Sequence, residues 1–154
     1  YIRIYFRRIK LVYSNKAMKA YGKVEVQSKV NSASNVELIQ MLLDGFIETI
    51  NKAEVQIQKN DIEGKAKSLI KASNIVMGLQ TSLDVENGGE IAKNLNELYT
   101  YISRRVFEIN LQNDVKIISE VRDLINSIRD AWKQVPELLP SKDANTKFTG
   151  ASTV

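Results

Sequence analysis

Neither cysteine nor histidine occurs anywhere in the 154 residues. Without cysteine there are no disulfides, thiolate metal sites or cysteine nucleophiles. Without histidine the commonest metal ligand and the commonest general base are gone, and with them any di-iron site of the Glu-x-x-His type in a helical bundle. Proline is nearly absent too: Pro136 and Pro140 are the only two, so everything before them is free to be helical. No glycine-rich phosphate loop follows a strand pattern, and no uninterrupted apolar run is long enough for a signal peptide, which needs roughly 7–15 residues. A reducing, intracellular location fits this composition. The length suits one domain with a real core.

Acidic residues are missing from one region in particular. Residues 1–23 hold Arg3, Arg7, Arg8, Lys10, Lys16, Lys19 and Lys23 and no acid, so they carry +7 of a chain whose total is +4. The other 131 residues therefore carry −3, a mildly acidic body behind a basic arm. A body that grips nucleic acid should show a basic face of its own. Any contact with nucleic acid or an anionic membrane would belong to the arm, which leaves an adaptor of that kind as the rival reading.

What is present is apolar residues at helical spacing. Tyr1 to Val12 alternates apolar with basic residues and reads as an extension outside the fold. Residues 13–33 form a short helical turn, with Met18 and Tyr21 on one face, then an extended row of Val24, Val26 and Val30. Too short to stand alone, this segment is expected to cap an apolar groove. The bundle proper is expected over 34–136 and a disordered polar tail over 137–154.

Four helices follow. Ser34 with Glu37 makes a capping box for a first helix whose stripe runs Val36, Ile39, Leu42, Leu43, Phe46, Ile47, Ile50 and Ala53. Gly45 sits inside it at a cost of about 1 kcal/mol against alanine, which suggests a close helix crossing or a partner. Asn60 with Glu63 makes a second capping box, opening a row of Ile62, Ala66, Leu69, Ser73, Val76, Leu79 and Leu83 widened by Ile70, Ile75 and Met77. Asn87-Gly88-Gly89 turns the chain, with Glu90 at the positive end of the next helix dipole. The third row is Ile91, Leu95, Leu98, Ile102, Val106 and Ile109, with Tyr99, Tyr101 and Phe107 beside it. Asn110 and Asn113 end it, Asp114 starts the fourth helix, and Val115, Ile118, Val121, Ile125, Ile128 and Trp132 form the last stripe. Helices of about 22–26 residues joined by short loops make an antiparallel up-down four-helix bundle, an all-α fold.

Nothing here reads as catalytic. Asp44, Asp61, Glu63, Asp84, Glu86 and Glu90 sit mostly at helix starts and loops, where capping explains them. Arg104 lies four residues from Glu108, an ordinary helix-surface pair. No metal, cofactor or enzymatic activity is expected. The surplus is apolar: more hydrophobic residues than one stripe per helix requires, as in a bundle that holds a partner helix or peptide.

The segments AYGKVEVQSKVNSAS, LIQMLLDGFIETINKA, SLDVENGGEIAKNLNELYTYISRR, EINLQND and IRDAW resemble the FliS flagellar export chaperones, over about Tyr13 to Val135. The glycine-turn stretch is the most specific of them. The family usually has Pro-His after the capping serine, where this chain has Asn35-Val36, and it has no counterpart to Tyr1–Val12. The resemblance implies a bundle with its N-terminal segment folded over it. It also implies a cytoplasmic protein that binds the C-terminal helical segment of flagellin, prevents early polymerisation and delivers it to the type III export gate. On family grounds Met18 and Tyr21 match an apolar-x-x-Tyr pair for gate docking. Ile39, Leu43, Ile47, Tyr99 and Tyr101 are the candidate flagellin contacts. Self-association is left open.

Overall fold

The computed structural model describes residues 35–134 (for Asn35 the backbone only), and they form four α-helices and their connections. The helices are α1 (Asn35–Gln58), α2 (Ile62–Thr81), α3 (Gly89–Gln112) and α4 (Val115–Lys133). Of the lengths of 24, 20, 24 and 19 residues, those of α1 and α3 match the periodicity and those of α2 and α4 run slightly shorter. The sequence-based expectations for residues 1–34 and 135–154, among them Ser34 as a cap and the Met18/Tyr21 pair, lie outside the described residues.

Side-chain ties fix the topology. Ser68 on α2 donates to Gln56 near the end of α1, and Gly45, nearer the start of α1, faces Ile75, further along α2. These two helices are therefore antiparallel. Gln80, at the end of α2, donates to Asn96 and Thr100 in the first half of α3. The Lys65 ammonium near the start of α2 reaches the carbonyl of Asn110 at 3.1 Å and the Asn113 side chain at 2.8 Å. The indole N–H of Trp132, at the end of α4, donates to the Val36 carbonyl at the start of α1. An antiparallel ring of four results, all-α as the spacing predicts.

Connections are set by asparagine and glycine. Asn60 (φ 55°), Asn113 (φ 55°) and Gly89 (φ 64°) hold the left-handed backbone positions among the described residues, which these residue types occupy at least cost. The cap of α2 lies one residue beyond its expected place: Asp61, not Asn60, accepts from the Gly64 N–H. Asn60 is instead the left-handed residue that reverses the chain. Asp114 caps α4 as expected, through the Lys116 N–H. At the central turn Asp84 accepts from the Asn87 backbone and side chain, and Glu90 stands in the first turn of α3.

The core joins Ile39, Leu43, Phe46 and Ile50 of α1 to Leu69, Val76 and Leu79 of α2, Tyr99, Ile102, Val106 and Ile109 of α3, and Ile118, Val121 and Ile125 of α4. The stripes of α1 and α4 fall close to expectation, and Trp132 is core as expected. Those of α2 and α3 keep Leu69, Val76, Leu79, Ile102, Val106 and Ile109 buried but differ at their edges. On α2, Ile62, Ile70 and Met77 are exposed while Ala72 and Ile75 are buried. On α3, Ile91 is exposed while Ala92 and Tyr99 are buried. Ile62 and Ile91 stand in the first turns of α2 and α3, and Ile70 and Met77 each lie one residue past the buried Leu69 and Val76, on the adjoining side of the helix.

Gly45 needs no special crossing. A methyl group built there would meet only the Ile75 Cδ1 at 3.7 Å, an ordinary contact. Gly45→Ala is therefore expected to stabilise the bundle by about 0.5–1 kcal/mol through lost unfolded-state freedom, read as a higher midpoint in thermal melts.

Candidate functional site

The expected site residues separate sharply by burial. Ile39, Leu43 and Tyr99 have no exposed surface at all. They hold the core together, because each lies on the face its helix turns toward the other three. Ile47 is half-buried and packs against the core's edge. Tyr101 is 36% exposed, but its hydroxyl is already engaged. It donates to Glu120 of α4, while the Arg105 guanidinium sits 6.0 Å from its ring centroid.

This clamp ties α3 to α4. Arg105 donates from Nε at 3.0 Å and from its terminal nitrogen at 2.6 Å to Glu120 Oε2, and also reaches Glu108. Arg105, rather than the Arg104 expected from spacing, is the partner of Glu108. The Tyr101 hydroxyl and then the Arg105 guanidinium hold the Glu120 carboxyl below its usual range. The same hydrogen bond holds the Tyr101 phenol above its own. Because the folded-state value of Glu120 is depressed, the clamp contributes above the ordinary carboxylate range and is lost as pH falls through the folded value. Between pH 7 and pH 3 the wild type should therefore lose more thermal stability than Glu120→Gln, and paired melts at the two pH values would show the difference.

Five of the six acids gathered by sequence serve as caps, turn ties or ion-pair partners. Asp61 caps α2, Asp84 closes the central turn, Glu63 pairs with Lys67, Glu90 with Lys93 and Asp44 with Arg129. Among the described residues no three metal-ligating side chains come together.

The surplus apolar surface is concentrated on one side. The five most exposed large hydrophobic residues described are Ile62 (74%), Leu111 (65%), Ile70 (63%), Phe107 (63%) and Met77 (58%), all on α2 or α3. Along α2, Ile62, Ile70 and Met77 recur at eight and seven residues, a single helix face. On α3, Phe107 and Leu111 are one turn apart and continue the face of Thr100. The Gln80–Asn96/Thr100 bonds at one end and the Lys65–Asn110/Asn113 bonds at the other bracket Ile70, Met77 and Phe107 between two adjacent antiparallel helices, with Ile62 and Leu111 at the Lys65 end. The result is an apolar strip several turns long, open to solvent and bordered by Ser103 and Arg104. Burying one such side chain releases about 1.5–3 kcal/mol, so leaving five of them in water carries a substantial cost. Sequence reading placed Ile62, Ile70, Met77 and Phe107 on or beside the core row. The signal that finds them is their surplus: each helix carries more apolar positions than one face can bury.

No described helix is long and apolar enough to cross a membrane. The flagellar protein FliS family profile matches residues 17–138. The flagellar secretion chaperone FliS of Salmonella typhimurium is 45% identical over 125 residues, 80% of this chain and 93% of that protein. Its namesake in Escherichia coli is 43% identical over 124 residues, 80% and 91% of the two chains. In Vibrio cholerae the figures are 36% over 120 residues, 78% and 88%. On this match the chain, a four-helix bundle with an exposed apolar strip among its described residues, belongs to the FliS family of flagellar secretion chaperones.

Proposed function

We propose that this chain is a cytosolic chaperone that binds the C-terminal helical segment of flagellin, keeps it from polymerising early and hands it to the flagellar export gate. The single observation that carries this reading is the exposed strip of Ile62, Ile70, Met77, Phe107 and Leu111 along the α2–α3 face. A filament subunit assembles by burying the apolar stripe of its terminal helix. A chaperone that offers that stripe an equivalent surface blocks assembly without any chemistry. Tyr101 and Ile47 lie on other faces of the bundle and are proposed as peripheral contacts. Met18 and Tyr21 remain proposed for gate docking. The secretion-chaperone naming of the relatives supports an export role and a protein that is not an enzyme.

Titration calorimetry of the full chain with a flagellin C-terminal peptide tests the reading. Saturable stoichiometric binding at micromolar peptide is expected. Absence of heat at two temperatures would overturn it. The rival, a nucleic-acid or membrane adaptor, rests on a basic arm outside the described residues, and no described feature favours it.

A further inference from the structure

The three described ion pairs that join one helix to another all hold α4: Arg105–Glu120 to α3, and Arg122–Glu54 and Arg129–Asp44 to α1. Their side chains are between a quarter and a half exposed, so salt screens them. The seams of α2 are tied differently, by Ser68–Gln56, by Gln80 with Asn96 and Thr100, and by Lys65 with Asn110 and Asn113. Most of these bonds are between uncharged groups.

A second observation falls on the same helix. Among the described residues, four buried side-chain polar atoms have no hydrogen-bond partner within the protein: Gln40 Oε1, Arg122 Nε, Asn126 Oδ1 and Arg129 Nε. Gln40 donates to Asp44, the partner of Arg129, and Asn126 lies between Arg122 and Arg129 on α4. All four therefore line the α1–α4 seam. A buried group without a partner forfeits its hydration and gains nothing back. Releasing α4 would return all four to water, whereas no such gain awaits the release of α2.

We propose that α4 is a releasable helix, which opens from the other three as a unit ahead of global unfolding and uncovers the apolar groove between α1 and α3. The groove is shaped for an amphipathic helix, because it already holds one with the spacing Ile118, Val121, Ile125 and Trp132.

Hydrogen exchange of the full chain, followed by mass spectrometry at 50 and 500 mM sodium chloride as round settings spanning a threefold change in Debye length, reads it directly. Peptides from α4 are expected to exchange about tenfold or more faster than those from α2, as a sub-global opening does, and the gap should widen at the higher salt. Asp44→Asn with Glu54→Gln should widen it further. Asn126→Leu, which removes an orphan acceptor and adds apolar contact, should narrow it. Trp132, the only tryptophan, gives a second readout, since acrylamide quenching should rise with α4 exchange. Equal protection of α4 and α2, or four helices that respond together to salt and to Asn126→Leu, would overturn the proposal. Should the double variant fail to fold, the salt series and Asn126→Leu still decide.

Discussion

Replacing Phe107 with aspartate is expected to weaken binding of a flagellin C-terminal peptide by about thirtyfold or more while leaving the bundle's helicity and melting temperature nearly unchanged. Phe107 is 63% exposed, so the folded chain loses little packing when the ring goes. The complex loses an aromatic anchor near the middle of the strip and gains a charge that must be desolvated. Anchors of this kind carry 2 kcal/mol or more, and about 1.4 kcal/mol is tenfold in affinity. Ile70→Asp, on the facing helix, should have a similar effect. Two variants that bind like the wild type would remove the α2–α3 strip from the interface even if the peptide binds elsewhere.

Leu43→Ala should give the opposite pattern. Leu43 has no exposed surface and sits in the core beside Phe46 and Ile39. Truncation there leaves a cavity and costs about 2–5 kcal/mol. In a bundle of about 100 residues each kcal/mol moves the midpoint by roughly 4–8 °C, so melts should fall by more than ten degrees. Peptide affinity measured well below that midpoint, under conditions where the variant is folded, should change far less than in Phe107→Asp. The pair of substitutions separates residues that make the bundle from residues that make its surface.

That separation is the part the sequence expressed least clearly. Helix number, order and most ends were legible because apolar residues recur at a helical period and because asparagine, aspartate and glycine mark the breaks. Asp114, Asn113 and Glu90 stand where their chemistry predicts. The start of α2 was off by one residue because Asn60 and Asp61 are both good caps on paper. Asparagine tolerates the left-handed backbone better, and that took Asn60 into the turn and left Asp61 to accept from Gly64. The binding surface was harder for a deeper reason. On α2 and α3 two different faces are apolar at the same spacing, one destined for the core and one for solvent. The rows drawn from spacing carry Leu69 and Val106 and leave Ile70 and Phe107 beside them, but spacing alone does not say which residues beside a row stay in water. That is a property of the assembled bundle, in which Ile70 and Phe107 are each 63% exposed.

The hydrogen bond from Trp132 to the Val36 carbonyl places the first and last described turns side by side. A short flexible joint between them would close the polypeptide into a loop without displacing either helix, since termini that lie close tolerate such rewiring. The Asn87–Gly88 bend would then serve as the natural place to cut. A circularly permuted chain that begins with α3 and finishes with α2 should refold to the same bundle, with its new ends at the same pole as the joint.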